Sequence, residues 1–294
     1  MKYLYFVILR ILLFIFSIIP LRGIYILSNF LVFILYYILP YRRKIIVMNL
    51  KNSFPEKSDK EINKLIKKIY RNFTDVMLET IKGFAISPKK LLSRYKITNP
   101  ELADKYFDEG RSIILSASHY CNWEWSLITF PDLFKHFVAG IYKPFSNKYI
   151  DKYIRDYRTS NNMCVVAMNE TGLFFKKQVG QKPFAMGMIA DQSPSNREKA
   201  VWVKFLNQDT ACIHGIDFYS LRYKLPVIHV DIRRVKRGMY EMQLVLLADP
   251  LETKYELGDI TGLYMQKLEE IIKREPENWL WSHRRWKHSR ADKN

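Results

Sequence analysis

The sequence predicts an α/β fold, a mixed central sheet with helices on its faces, preceded by a hydrophobic N-terminal segment. Three observations carry that prediction. Short apolar runs alternate with helical patterns from Gly110 onward; runs at 225–233 and 240–247 are joined by Lys236-Arg237-Gly238; and the first 55 residues contain no Asp or Glu. The chain has 294 residues, 26% charged and 48% hydrophobic, a composition that excludes wholesale disorder and a polytopic membrane protein.

The elements can be justified in order. Two apolar runs, 3–19 and 24–39, are closed by Pro20 and Pro40 and punctuated by Lys2, Arg10 and Arg22, with Arg42, Arg43, Lys44 and Lys51 following. Each falls short of the roughly 20 residues of a straight membrane span. Pro20-Leu21-Arg22-Gly23 is a poor signal-peptide cleavage site. Runs this apolar around most of their circumference are seldom covered by a domain of this size. Residues 1–44 are therefore expected to be a retained membrane anchor and 45–294 the main domain. The cations beside the second run place that domain on the cytoplasmic side and attract anionic phospholipids. Counting leaves one span, a hairpin and an interfacial pair all open.

Ser58-Asp59-Lys60-Glu61 has the form of a capping box, and Ile62, Leu65, Ile66, Ile69, Phe73, Val76, Met77 and Ile81 recur at helical spacing, predicting a helix over 59–82. Beyond it, strands are predicted at 112–117, 137–142, 164–167, 184–190, 225–233 and 240–247. Helices are predicted from 122, over 147–159, 170–179 and 259–274. The last two strands are expected to form an antiparallel pair. Cys121, Cys164 and Cys212 lie far apart with no C-x-x-C, which argues against a disulfide framework or a thiolate metal cage.

The net charge is +18. Nucleic acid, an anionic membrane surface and an acidic protein or substrate are all compatible with that figure. Its distribution separates them, because the cations concentrate at the N-terminal segment and in His283-Arg284-Arg285, and no nucleic-acid-binding module is present. Nucleic acid is the least favoured partner. A non-catalytic basic membrane- or nucleic-acid-binding protein is the alternative class.

Chemistry points to Ser118-His119-Tyr120-Cys121-Asn122-Trp123-Glu124-Trp125. A histidine at a strand's carboxyl end with a carboxylate in the first turn of the next helix has a geometry in which the acid turns back to accept the imidazole N–H. The other ring nitrogen is then a free base. Near neutral pH such a pair is carboxylate plus mostly neutral imidazole, and general-base help is worth ~10²–10⁴ in rate. On spacing alone H-x-x-x-x-E is a weak signal. The other histidines, including His214 and His229, lack companions spaced for metal ligation, so no metal and no cofactor is expected.

The block resembles the H-x-x-x-x-[D/E] motif of the lysophospholipid acyltransferase superfamily, and more closely the H-x-x-N-W-E form of the lipid A late acyltransferases. Tyr142-Lys143-Pro144-Phe145-Ser146-Asn147 is similar to that branch's Y-[R/K]-P-x-x-N segment, Arg158 to its following arginine, and Asp191-Gln192 to its D-Q pair. Trp281-Ser282-His283-Arg284-Arg285-Trp286-Lys287 resembles its closing W-x-H-R-R-[F/W]-K signature. One departure is Cys121, where the branch usually has Gly.

The resemblance implies a glycerol-3-phosphate-acyltransferase-like fold at the cytoplasmic face of the bacterial inner membrane. It also implies transfer of a fatty acyl group from a thioester, usually on acyl carrier protein, to a hydroxyl of a glycolipid acceptor. His119 and Glu124 are then the catalytic residues. Asn122, Lys143, Asn147, Arg158, Asp191, Gln192, Arg284 and Arg285 are candidates for substrate binding, the guanidinium forks suiting phosphate groups. The same chemistry on a lysophospholipid, an aminolipid or a glycosylated polyol lipid, or with acyl-CoA as donor, is the alternative within enzymes. Cys121 offers a covalent route through its thiolate, but at a strand-to-helix corner its side chain is expected to point elsewhere. Direct attack is the adopted reading.

Overall fold

The computed structural model describes residues 1–160 and 163–290. Helices α1 (Lys2–Ile18) and α2 (Leu21–Phe33) are separated at Pro20, and a π-helical turn (Ile34–Ile38) prolongs α2. After α3 (Arg43–Ser53) comes α4 (Asp59–Gly83), opened by the expected capping box of Ser58 and Glu61. Then follow α5 (Pro88–Leu92), β1 (Tyr95–Ile97), α6 (Glu101–Asp108), β2 (Ile113–Ala117) and α7 (Trp123–Leu133). The middle of the chain forms β3 (Phe137–Tyr142), α8 (Lys148–Ser160), β4 (Cys164–Ala167), α9 (Thr171–Gln178) and β5 (Phe184–Ile189). It ends with β6 (Val201–Phe205), β7 (Gln208–Cys212), α10 (Gly215–Tyr223), β8 (Val227–Lys236), β9 (Met239–Ala248) and α11 (Asp259–Arg274).

Seven strands form a mixed sheet in the order β1-β9-β8-β2-β5-β3-β4. All its pairings are parallel except β8 with β9, the expected antiparallel pair. Gly238 takes φ +67° in their turn, a conformation that glycine adopts without a Cβ clash. Every residue of β2 is buried, as befits a central strand covered on both faces. The separate hairpin β6–β7 carries no periodicity strong enough to predict from sequence.

The apolar segment packs against α4. Phe16 and Ile24 cluster with Leu78, and polar groups lock the contact. Ser28 Oγ donates to Asp75 Oδ1 at 2.5 Å, Tyr25 Oη donates to Glu79 Oε1 at 2.8 Å, and Lys82 Nζ donates to the carbonyls of Phe16, Ser17 and Ile19 at 2.6, 3.0 and 2.9 Å. Lys82 thus satisfies carbonyls that the C-terminus of α1 leaves free. The outward faces stay apolar and exposed: Leu4, Ile8, Ile11, Ile15 and Ile18 on α1, and Ile26, Phe30 and Phe33 on α2.

Candidate active site

The register of β2 with β5 builds the site. These adjacent parallel strands pair Ala117 with Ile189, so two residues further on, past both carboxyl ends, His119 and Asp191 come level. Asp191 Oδ1 accepts from His119 Nδ1 at 2.7 Å, while Asp191 Oδ2 accepts from the His119 backbone N–H at 3.0 Å and from Trp279 Nε1 at 2.9 Å. The carboxylate is 2% exposed and the imidazole 21%. Gln192 Nε2 lies 3.2 Å from His119 Nε2. That pattern assigns the proton to Nδ1 and leaves the Nε2 lone pair accepting from the Gln192 amide.

Expected partner and actual partner differ. Glu124 does not bond the imidazole; its Oε2 accepts from Arg158 Nη2 at 3.0 Å. Glu124 sits in the first turn of α7, where the helix dipole favours its charge, and α8 brings Arg158 over it. The orienting carboxylate is Asp191, which the sequence places with the substrate-binding groups. Glu124 still acts through space. Burial disfavours the His119 imidazolium, but the charge and hydrogen bond of Asp191, aided by the charge of Glu124, outweigh it, and His119 titrates above its ordinary value. Burial likewise opposes ionisation of Asp191, yet the charge of His119 and the three donated hydrogen bonds hold its pKa below the usual carboxylate range.

The turn carrying His119 is clamped by the closing block. Leu280 N donates to His119 O at 3.1 Å, and Cys121 N donates to Asn278 O at 2.9 Å. Asn49 Nδ2 on α3 in turn donates to the carbonyls of Trp281 and His283, at 2.9 and 3.0 Å. Cys121 itself takes φ +51°, in the left-handed region that favours glycine. The resemblance therefore departs at a position where its usual Gly has a conformational reason. The Cys121 side chain is fully buried, its Sγ pointing at Ile232 O, 3.6 Å away, and burial pushes the thiol well up. It is no accessible nucleophile.

Several other candidates have structural partners. Asn122 is fully buried; its Oδ1 caps α7 by accepting from Trp125 N at 3.0 Å, and its Nδ2 donates to Glu79 Oε2 at 2.8 Å. Arg285 is 1% exposed and donates to Ala211 O at 2.7 Å and Cys212 Sγ at 3.1 Å, so it braces β7. Asn147 donates to Lys2 O at 2.8 Å and accepts from Tyr149 N at 3.1 Å, tying the start of α1 to that of α8. Lys143 and Arg284 are exposed. Arg158 keeps a buried Nε with no partner beside its bond to Glu124. Trp279, a donor to Asp191, is the functional residue that sequence reading missed.

Beside these groups lies a cavity of about 370 Å³, within the ~300–1,000 Å³ range of small-molecule sites. Trp123 and Glu124 form one wall, residues 278–282 another, and Ile69, Phe73, Val76, Met77 and Thr80 of α4 a third. Trp123 also meets the His119 ring edge-on, with centroids 5.1 Å apart. The site thus joins a charged end at Glu124 to a largely apolar interior.

A mixed α/β sheet and such a cavity beside the H-x-x-x-x-E block are the setting of the site, and the family match makes the chain an acyltransferase. The family of bacterial lipid A biosynthesis acyltransferases matches residues 1–288, and the chain belongs to it. No curated protein matches the chain.

Proposed function

We propose that the protein moves a fatty acyl chain from acyl carrier protein to a hydroxyl of a lipid A precursor at the cytoplasmic face of the bacterial inner membrane. The observation that carries this reading is the His119–Asp191 pair beside an apolar cavity of about 370 Å³. His119 Nε2 removes the proton of the acceptor hydroxyl as its oxygen attacks the thioester carbonyl. A C–O bond forms, the C–S bond breaks, and the imidazolium returns its proton to the departing thiolate. Asp191 fixes the tautomer that makes Nε2 the base and stabilises the imidazolium. Arg158 has a donor left for the oxyanion or a phosphate, and Glu124 holds its guanidinium in place. Gln192 holds the Nε2 lone pair until the acceptor hydroxyl replaces it.

The apolar interior takes the acyl chain. Exposed Lys143 and Arg284 supply cations for the acidic carrier. Residues 1–44 form the membrane anchor of the 45–294 domain. Because α2 is locked to α4 by Ser28 and Tyr25, we read α1 and α2 as a hairpin held against the domain, its exposed apolar face in the leaflet. Leu21–Ile38 is also long and apolar enough to cross a membrane.

Membranes supplied with labelled acyl carrier protein and a tetra-acylated precursor test the reading: His119→Ala abolishes transfer. Full transfer by that variant removes the base assignment. Mass spectrometry of lipids from a strain lacking the gene tests the acceptor. An unchanged lipid A acyl pattern with another lipid short of a chain moves the activity to that lipid.

A further inference from the structure

Away from the His119 site, α4 presents a second chemically distinct face. Lys64, Lys67, Lys68 and Arg71 lie at i, i+3, i+4 and i+7, so one helical face carries all four cations. With Asn29 and Val32 of α2 they line a groove of about 440 Å³. Only Lys68 has an acidic partner among the described residues, Glu277 at 3.1 Å. Lys64, Lys67 and Arg71 are exposed and have none. Cations at these spacings repel one another in the unliganded protein, a cost that a bound anion reverses. Asn29 Oδ1 is held by Arg237 Nη2 at 2.9 Å, so the part of its amide left for the groove is the NH2 donor. The groove therefore offers cations, an amide donor and one apolar wall, and no carboxylate.

Its position selects the anion. The groove runs along the seam between α4 and α2, and on α2 Phe30 and Phe33 stand exposed. If that apolar face enters the leaflet, the seam lies at headgroup depth, where phosphates are concentrated. We propose that the groove between α2 and α4 binds the phosphate of an anionic membrane phospholipid, with Lys64, Lys67 and Arg71 as its ligands and Asn29 as donor. The inference rests on the membrane reading of the N-terminal hairpin and adds a defined lipid site to it. Arg fits such a phosphate with a two-pronged fork, and the lysines supply mobile point charges. Occupancy ties α2 to α4 through the lipid itself.

The test is vesicle flotation of the full chain on phosphatidylcholine alone and on phosphatidylcholine containing phosphatidylglycerol. Each cation near an anionic surface contributes roughly fivefold to binding before salt screening. For wild type we expect at least about tenfold tighter binding to the anionic vesicles. The variant Lys64→Gln/Lys67→Gln/Arg71→Gln keeps its affinity for neutral vesicles and loses that advantage. A charge-matched control, Lys176→Gln/Lys177→Gln/Lys182→Gln, keeps it. Equal anionic advantage in the groove variant, or equal loss in the control, overturns the site. Displacement from anionic vesicles by inorganic phosphate at matched ionic strength also overturns it, as the groove is then a free-anion site. Failure of every protein to float with neutral vesicles refutes the hairpin reading instead, and leaves the groove to be judged on the anionic arm.

Discussion

Asp191→Asn separates the two carboxylates that compete for the role of orienting His119. The Asp191 carboxylate accepts from His119 N, His119 Nδ1 and Trp279 Nε1, at 3.0, 2.7 and 2.9 Å. An asparagine has one acceptor oxygen. Two donors, the His119 backbone N–H and the indole, converge on Oδ2, so the amide oxygen takes that place and its NH2 faces Nδ1. Nδ1 must then accept, the ring proton moves to Nε2, and the base is lost through the wrong tautomer. In a Ser-His-Asp triad the same error costs about 10⁴ in kcat. We expect a loss of roughly 10³–10⁴, equivalent to about 4–5.5 kcal/mol of barrier, with the KM for the acyl donor little changed.

The pH profile supplies a second readout. Burial lowers the His119 pKa while Asp191 and Glu124 raise it, and the net shift is upward. The reacting form is the neutral imidazole, so kcat/KM in the wild type climbs with pH to a midpoint above the ordinary 6.5. Without the Asp191 charge, burial is opposed by Glu124 alone, and the residual activity has its midpoint at lower pH. The assay is single-turnover transfer from labelled acyl carrier protein across pH, with Glu124→Gln in parallel. Near-normal kcat and an unmoved midpoint in Asp191→Asn, beside a collapse in Glu124→Gln, refute the assignment.

Two further outcomes follow from the same geometry. Cys121→Ala keeps transfer activity, because the thiol is buried and non-nucleophilic, but lowers stability by about 1–2 kcal/mol in chemical denaturation through the cavity it leaves; loss of activity without loss of stability revives a covalent route. Val76→Phe narrows the cavity by some two or three methylenes' worth of space, so at ~0.8 kcal/mol per buried CH₂ it lowers kcat/KM for the longest accepted chain by about 30-fold while sparing shorter ones. A uniform effect across a chain-length series of acyl thioesters places the acyl chain elsewhere.

Local patterning made much of the fold legible. The α4 capping box, the β8–β9 pair and the alternation from β2 to β5 all depend on residues close in sequence, where periodicity and turn chemistry act directly. What stayed hidden was pairing between distant segments. His119 and Asp191 are 72 residues apart, and their contact follows from β2 lying next to β5, a neighbour relation that no local pattern contains. The usable signal was the length of the two strands. Once they are set side by side with Ala117 against Ile189, equal overhangs bring the two residues level. Spacing favoured Glu124 because it is near in sequence, yet the helical turn that starts at Trp123 directs it to Arg158.

The closing block shows that one motif can mix residues that line the cavity with residues that only brace the fold. Arg285 lies inside the protein against β7, and Trp279, just outside the seven-residue match, donates to the Asp191 carboxylate. The segment between them pairs its backbone with the His119 turn and is itself held by Asn49 of α3. From the other side, Asn122 at the end of that turn donates to Glu79, and Glu79 accepts from Tyr25 of α2 and from Tyr240 of β9. Burial raises the Glu79 pKa, and Arg234, Tyr240, Tyr25 and Asn122 all favour its ionised form. A buried carboxylate of this kind is costly unless its donors stay in place. The turn that presents His119 is thus gripped by the C-terminal block on one side and, through one buried acid, by α2 on the other, which makes the apolar N-terminal segment part of the site's scaffold.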